Sequence, residues 1–338
     1  MNIYNLTLKD LENYFLNISE KKYRASQVFE WLYKKRVKSF DDMTNLSKDI
    51  ISCLKKDYSF YIPIIVSEEI DIDVTKYLFK LNDGEHIESV LMYHDYGLSL
   101  CISSQVGCNM GCSFCESGRR KKVRNLTVSE MLLQIIEIER KINKRISHLV
   151  IMGIGEPFDN YDNLVKFIEN CNNHKGLEIG SRHITVSTCG IVPKIYEFMN
   201  LPYQVNLAIS LHAASDKLRS KLMPINKVYP LEELIDSIKK YLSVTNRRIT
   251  FEYILISGIN DREEDARKLA SLVKGLNCYI NLIPYNENSF SEYKRPKNDD
   301  IMKFYDIIKK EKVNVTVRRE FGSKISAACG QLRSKKEE

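Results

Sequence analysis

Leu98-Ser-Leu-Cys-Ile-Ser-Ser104 runs through Gln105-Val-Gly107 into Cys108-Asn-Met-Gly-Cys112-Ser-Phe-Cys115. The first seven residues alternate like a strand, and the loop that follows is dense in thiols. Downstream, further strand patterns recur at 148–153, 183–188, 205–212, 249–256, 279–285 and 313–319. Helical patterns separate them. Thr127 and Glu130 form a capping box before 131–140, Pro230 sits at the first turn of 231–241, and Asp261 opens 261–274. Strands alternating with helices predict a parallel sheet, and about six such units predict a barrel or partial barrel.

Upstream the rhythm differs. Leu8, Leu11, Tyr14 and Phe15, then Val28, Phe29, Trp31 and Leu32, recur at helical spacing. Lysines and arginines interleave at 21–24 and 34–38, which suits a solvated helix face or a surface that touches RNA phosphates. Tyr77-Leu-Phe-Lys-Leu81, the turn Asn82-Asp-Gly84 and Glu88-Ser-Val-Leu-Met92 read as a hairpin. The expected organisation is a small helical domain over 1–60, a hairpin linker over 61–95, an α/β barrel over 96–330 and a tail over 331–338, disordered from Arg333 to Glu338.

The chain has 338 residues and a formal net charge of +7, which permits a nucleic-acid partner without demanding one. No apolar run reaches the length of a membrane span, and MNIYNLTLKD does not read as a signal peptide. The expected location is the cytoplasm, with no membrane partner. Four of the nine cysteines fall between positions 101 and 115, which in a reducing compartment points to metal or catalytic thiols.

In a parallel barrel the chemistry collects at the carboxyl ends of the strands. The unusual residues fall there: the cysteine loop, Gly155 and Glu156, Ser187, Ser210-Leu211-His212, Asn286 and Cys329. Three thiolates suit an iron–sulfur cluster or zinc. A structural zinc site takes four protein ligands, whereas three leave one iron of a cubane open. The C-x3-C-x2-C spacing of Cys108, Cys112 and Cys115 resembles that of the radical S-adenosylmethionine superfamily. That resemblance implies a [4Fe–4S] cluster whose open iron holds the amino and carboxylate groups of S-adenosylmethionine. Gly155 and Glu156 would then receive the amino group, with Ser187, Ser210, Leu211, His212 and Asn286 also contacting the cofactor.

Several segments together are more specific: Cys101-Ile-Ser-Ser-Gln-Val-Gly-Cys108, Gly153-Ile-Gly-Glu-Pro157, Thr185-Val-Ser-Thr-Cys-Gly190, Ile209-Ser-Leu-His212, Leu222-Met-Pro-Ile-Asn226, Asn281-Leu-Ile-Pro-Tyr-Asn286 and Ala328-Cys-Gly-Gln-Leu332. They resemble the RlmN family of adenosine-C2 RNA methyltransferases across nearly the whole chain. The resemblance implies a partial (β/α)6 barrel behind a small helical N-terminal domain. It implies methylation of adenosine 2503 of 23S rRNA and of adenosine 37 of tRNA, with two molecules of S-adenosylmethionine per turnover. Flavodoxin or ferredoxin would supply the electron. Cys329 would carry the methyl group, Cys101 would resolve the covalent adduct by a disulfide with Cys329, and Glu88 would be the general base. A radical enzyme acting on a small molecule would leave the Cys101 and Cys329 pair without a role.

Two departures bear on specificity. Glu116-Ser-Gly-Arg-Arg-Lys-Lys-Val-Arg124 carries five positive charges where the family has small residues, either a solvated loop or a grip on RNA backbone. The related Cfr family methylates C8 of the same rRNA adenosine. Pro157, Val106 and the pair Arg318-Arg319 resemble the C2 enzymes, whereas Phe321-Gly322 resembles the C8 enzymes.

Overall fold

Thr7 and Ser47 start helices because each side chain accepts an amide hydrogen three residues on, from Asp10 and Ile50. These helices are α1 (Leu8–Asn17) and α3 (Lys48–Asp57), with α2 (Tyr23–Tyr33) between them. Their apolar stripes, including Leu11, Phe15, Phe29, Leu32 and Leu54, are fully buried. The computed structural model describes residues 1–288, 291–318, 325, 327 and 330–332. Cys329, Arg319, Phe321, Gly322 and the tail from 333 onward lie outside the described residues.

The segment expected as a hairpin linker is built into the main sheet instead. Strands β1 (Ile64–Asp71), β2 (Val74–Lys80), β3 (His86–His94) and β4 (Gly97–Cys101) form an antiparallel run. The short β5 (Gln105–Val106) and β6 (Arg124–Asn125) make a separate ladder flanking the cysteine loop. Beyond them come α4 (Val128–Ile142), β7 (His148–Ile151), α5 (Tyr161–Asn172), β8 (Ile184–Thr188), α6 (Val192–Phe198) and β9 (Asn206–Ser210). The chain continues with α7 (Asp216–Leu222), α8 (Leu231–Thr245), β10 (Ile249–Leu255), α9 (Glu263–Val273), β11 (Cys278–Pro284), α10 (Asn298–Lys310) and β12 (Val315–Val317). The capping box at Thr127 and Glu130 starts α4, and Pro230 is the residue immediately before α8.

The ten-stranded sheet runs β1-β2-β3-β4-β7-β8-β9-β10-β11-β12. From β4 onward every neighbour is parallel and consecutive, so helices cross over between strands. β1 and β12 are its ends, and the curve is an open, partial barrel.

Register sorts the side chains, because paired residues share a face and successive residues alternate. One face carries Leu100, Leu149, Ile184, Leu207, Phe251 and Ile280, nearly all wholly buried under the helices. Each such side chain contributes roughly 1.5–3 kcal/mol of burial. The other face carries the Lys76–Val90–Cys101–Val150 line and the Ser210–Glu252–Asn281 line. Polar groups collect on that inner face.

The helical N-terminal residues dock on α4 and α5. Arg36 pairs with buried Glu139, whose other oxygen accepts from the Ile146 amide at 2.6 Å. Lys34 reaches Glu178 at 2.5 Å, and Asn170 donates to the Leu6 carbonyl at 3.1 Å. Lys35 lies 3.6 Å over the Trp31 ring. Arg36 and Lys34 thus tie the N-terminal helices to the barrel, while Lys21, Lys22, Lys35 and Lys38 are exposed. No helix among the described residues is long and apolar enough to cross a membrane.

Candidate active site

A cavity of about 150 Å³ opens at the carboxyl ends of the parallel strands. Its wall includes Cys108, Cys112 and Cys115, which the sequence places in one loop after β4. That loop is braced from both sides. The Cys108 amide donates to the Arg120 carbonyl at 2.9 Å, and the Ser113 amide donates to the Leu222 carbonyl at 2.9 Å. Burial pushes the Cys108 thiol up to about 12 and the Cys112 thiol well above its ordinary value, and the neighbouring thiols add to both. Protein alone therefore does not favour thiolates here. A cationic metal centre supplies what is missing, since it binds the deprotonated form.

The donor set fits a cluster. Three soft sulfurs share the cavity, while Cys189, also on its wall, turns its thiol to the Glu156 carboxylate. Among the described residues no three Cys, His, Asp or Glu side chains gather as the ligands of one ion. Thiols on three different irons of a cubane stand wider apart than that.

Gly155 has φ +111°, and a Cβ there would sit 2.6 Å from the Gln105 side chain. That close approach lets Gln105 accept from the Glu156 amide at 2.9 Å while donating to Asn125 and Asp159. Glu156 is buried, and its two oxygens accept from the Phe158 amide at 3.0 Å and the Cys189 amide at 2.8 Å. Burial raises its carboxyl above the ordinary range, and those bonds pull it back. The Thr188 and Cys189 side chains bond the same carboxylate, which thus ties two loops together at the cavity wall.

Ser187 and Ser210 sit on the wall with hydroxyls 3.5 Å apart. His212 accepts from the Ile254 amide at Nδ1, 3.0 Å, so its proton resides on Nε2. Burial, then the charge of Arg219, lower its pKa to about 3, which keeps the ring neutral. Its ring meets Phe114 edge-on at 4.8 Å. Leu211 and Asn286 are buried nearby, but neither lines the cavity among the described residues.

Glu88 and Cys101 lie off this cavity, on the same inner face. Cys101 ends β4 opposite Val90, packed with Val74, Met92, Ile154, Ala327 and Leu332. Glu88 is buried 3.7 Å from Lys76, whose ammonium also meets Glu69 at 2.8 Å and donates to the Ile325 carbonyl at 2.8 Å. Of the other cysteines, Cys171 and Cys278 are buried and Cys53 is partly exposed.

Motif reading missed Arg219. It is fully buried in α7 and donates to the carbonyls of Cys189 (2.7 Å), Ser210 (3.1 Å) and Leu211 (3.1 Å) and to Asn226 (3.0 Å). One guanidinium therefore fixes the ends of β8 and β9 against the Leu222-to-Asn226 segment. Its only sequence signal is that it precedes that segment by three residues.

A strand-ended cavity with three thiols, a Gly-Glu-Pro loop and a partial barrel defines a radical S-adenosylmethionine enzyme. The Radical SAM superfamily matches residues 102–270, and the "Ribosomal RNA large subunit methyltransferase N-terminal domain" matches residues 1–59. The chain belongs to the RlmN family, whose cofactors are a [4Fe–4S] cluster and S-adenosylmethionine. It is 51% identical over 99% of both chains to the "Probable dual-specificity RNA methyltransferase RlmN" of Acholeplasma laidlawii. It is 50% identical to the protein of that name in Enterococcus faecalis, covering 98% of this chain and 96% of that one. The crystal structure of a radical SAM methyltransferase from Sphaerobacter thermophilus superposes with a TM-score of 0.94 at 40% identity, covering 99% of this chain and 100% of that one.

Proposed function

We propose that this protein methylates C2 of adenosine 2503 in 23S rRNA and of adenosine 37 in tRNA, through a methyl group carried on Cys329. The relatives' shared name speaks of dual-specificity RNA methylation, and most of the quoted motifs resemble those of the C2 enzymes. C2 of adenine is electron-poor and has no acidic proton, so neither displacement nor base catalysis functionalises it. The cluster with S-adenosylmethionine supplies the radical chemistry when bound.

This chain's residues do the rest. Cys108, Cys112 and Cys115 hold the cluster. Gly155, Glu156, Ser187, Ser210, Leu211, His212 and Asn286 orient the cofactor. Cys101 releases the product by forming a disulfide with Cys329, which a cellular reductant must reopen. Glu88 is the general base, taking the C2 proton only after the Cys329-borne carbon has added there and made that proton acidic. Flavodoxin or ferredoxin donates the electron, and the cytoplasm is where these partners meet.

The observation that most supports this reading concerns the residues flanking position 329. Ala327 and Leu332 pack with Cys101, while the Gly330 carbonyl accepts from the Glu116 amide at 2.8 Å beside the cluster loop. One short segment thus touches the resolving thiol and the cluster loop together.

Mass spectrometry of digested RNA tests the reading, using the cluster-loaded enzyme, S-adenosylmethionine, a reductant and an unmodified 23S rRNA fragment. 2-Methyladenosine is expected. 8-Methyladenosine would instead give the chain the Cfr activity. Cys329→Ala is expected to abolish methyl transfer with the cluster intact, and methylated RNA from that variant would overturn the two-step route.

A further inference from the structure

Glu252 stands in the middle of β10, on the inner face, between Ser210 of β9 and Asn281 of β11. It is 4% exposed and lies on the cavity wall. One carboxylate oxygen accepts from the Asn281 amide at 3.1 Å. The other, Oε2, has no hydrogen-bond partner among the described residues. The Arg318 guanidinium is 3.8 Å from it, a distance that allows attraction but no hydrogen bond.

A buried carboxylate with an unmade bond is costly, and native proteins rarely leave one without purpose. The surrounding wall explains the purpose. Met152, Ile254, Ile283 and Met223 offer apolar contacts, and Ser210, the register partner of Glu252, has its hydroxyl 3.5 Å from that of Ser187 on the same wall. An apolar cleft with a few converging polar groups suits a nucleoside, and a carboxylate is the natural acceptor for ribose hydroxyls or an exocyclic amino group.

We propose that Glu252 is a recognition residue for an adenosine bound in this cavity, its Oε2 accepting an O–H or N–H of that nucleoside while Asn281 and Arg318 hold the carboxylate in place. Two adenosines enter this chemistry, that of the cofactor and that of the RNA target. The cofactor arm rests on family membership alone, and the RNA arm rests on the function proposed above. Glu252 is distinct from the motif residues that the sequence offers for the cofactor.

The test is equilibrium binding to the cluster-loaded enzyme, wild type and Glu252→Gln. One arm uses S-adenosylhomocysteine and its 2′-deoxy, 3′-deoxy and 6-deamino analogues. The other uses an RNA hairpin with adenosine, or its three corresponding analogues, at the target position. In one arm, the wild type is expected to lose about tenfold or more in affinity for the analogue lacking the recognised donor. Glu252→Gln is expected to bind the parent ligand about tenfold more weakly and to discriminate no longer. The arm that responds names the source of the adenosine. Parent binding within twofold of wild type in both arms, or retained discrimination, overturns the proposal. Should Glu252→Gln not fold, the wild-type arms still decide, because uniform binding of every analogue overturns it too. These readouts are affinities, so a failure to methylate C2 leaves them interpretable.

Discussion

His212 shows how one residue can be read twice. In sequence it closes Ile209-Ser-Leu-His212, and in the structure it is buried on the cavity wall, its Nδ1 accepting from Ile254. Burial and Arg219 lower its pKa from 6.5 to about 3, so the folded protein binds this proton less readily than the unfolded chain. The stability contributed by neutral His212 is therefore complete above pH 6.5 and is lost as pH falls from there toward 3, by up to about 1.4 kcal/mol per pH unit. Urea unfolding of the cluster-free protein should show His212→Asn flatter than wild type between pH 7.5 and 5.5. Equal slopes would mean the imidazole is solvated. Glu156 and Arg219 carry the same lesson, since each spends its polar atoms fixing loops.

At the level of elements, the charged residues that suggested RNA contact largely meet partners within the chain. After the cluster loop, Arg120 pairs with Glu85 at 2.6 Å, and Lys122 pairs with Asp159 at 2.6 Å. Arg124 grips Glu130 with two bonds at 2.8 Å and Asp83 at 2.6 Å. A bidentate, partly buried pair outweighs an exposed one. Arg124→Gln should lower stability by about 1–2 kcal/mol in denaturant melts and leave the salt dependence of RNA affinity unchanged. A shallower salt slope would show that Arg124 neutralises a phosphate instead. The docking of α2 on α4 makes a second prediction. Removing Arg36 as Arg36→Met leaves buried Glu139 with the Ile146 amide and the charge of Arg145 but no ion-pair partner in contact, and should cost about 3 kcal/mol. Proteolysis should then cut first between the N-terminal helices and β1; unchanged resistance would show that apolar packing alone holds the interface.

For the whole molecule, folding and cluster binding at the thiol loop are linked. A cluster that binds only the folded chain raises its apparent stability by mass action. Anaerobic reconstitution should raise the melting temperature of the wild type by several degrees. Cys112→Ala should lose both the rise and the bound iron and sulfide. A variant that still bound iron and sulfide in the wild-type ratio would remove Cys112 from the ligand set.

The alternation of 98–104 and the six later strands was legible because each element carries its own period, and all seven appear as β4 and β7 to β12. The cysteine loop was legible because its ligands are close in sequence, and loop geometry then fixes them locally. The family followed from short motifs of the same local kind. What the chain alone did not reveal was β1 to β3 as part of the barrel's sheet, Arg219 as the tie across two strand ends, or Glu252 as a buried acid in the cavity. None of these has a local signature. A mid-strand glutamate reads as solvent-facing until the register of β9, β10 and β11 sets it between Ser210 and Asn281. Spacing along the chain determined which thiols, turns and strands exist. Pairing between strands far apart in sequence decided which polar side chains share one buried face, because that depends on the contacts of the whole sheet.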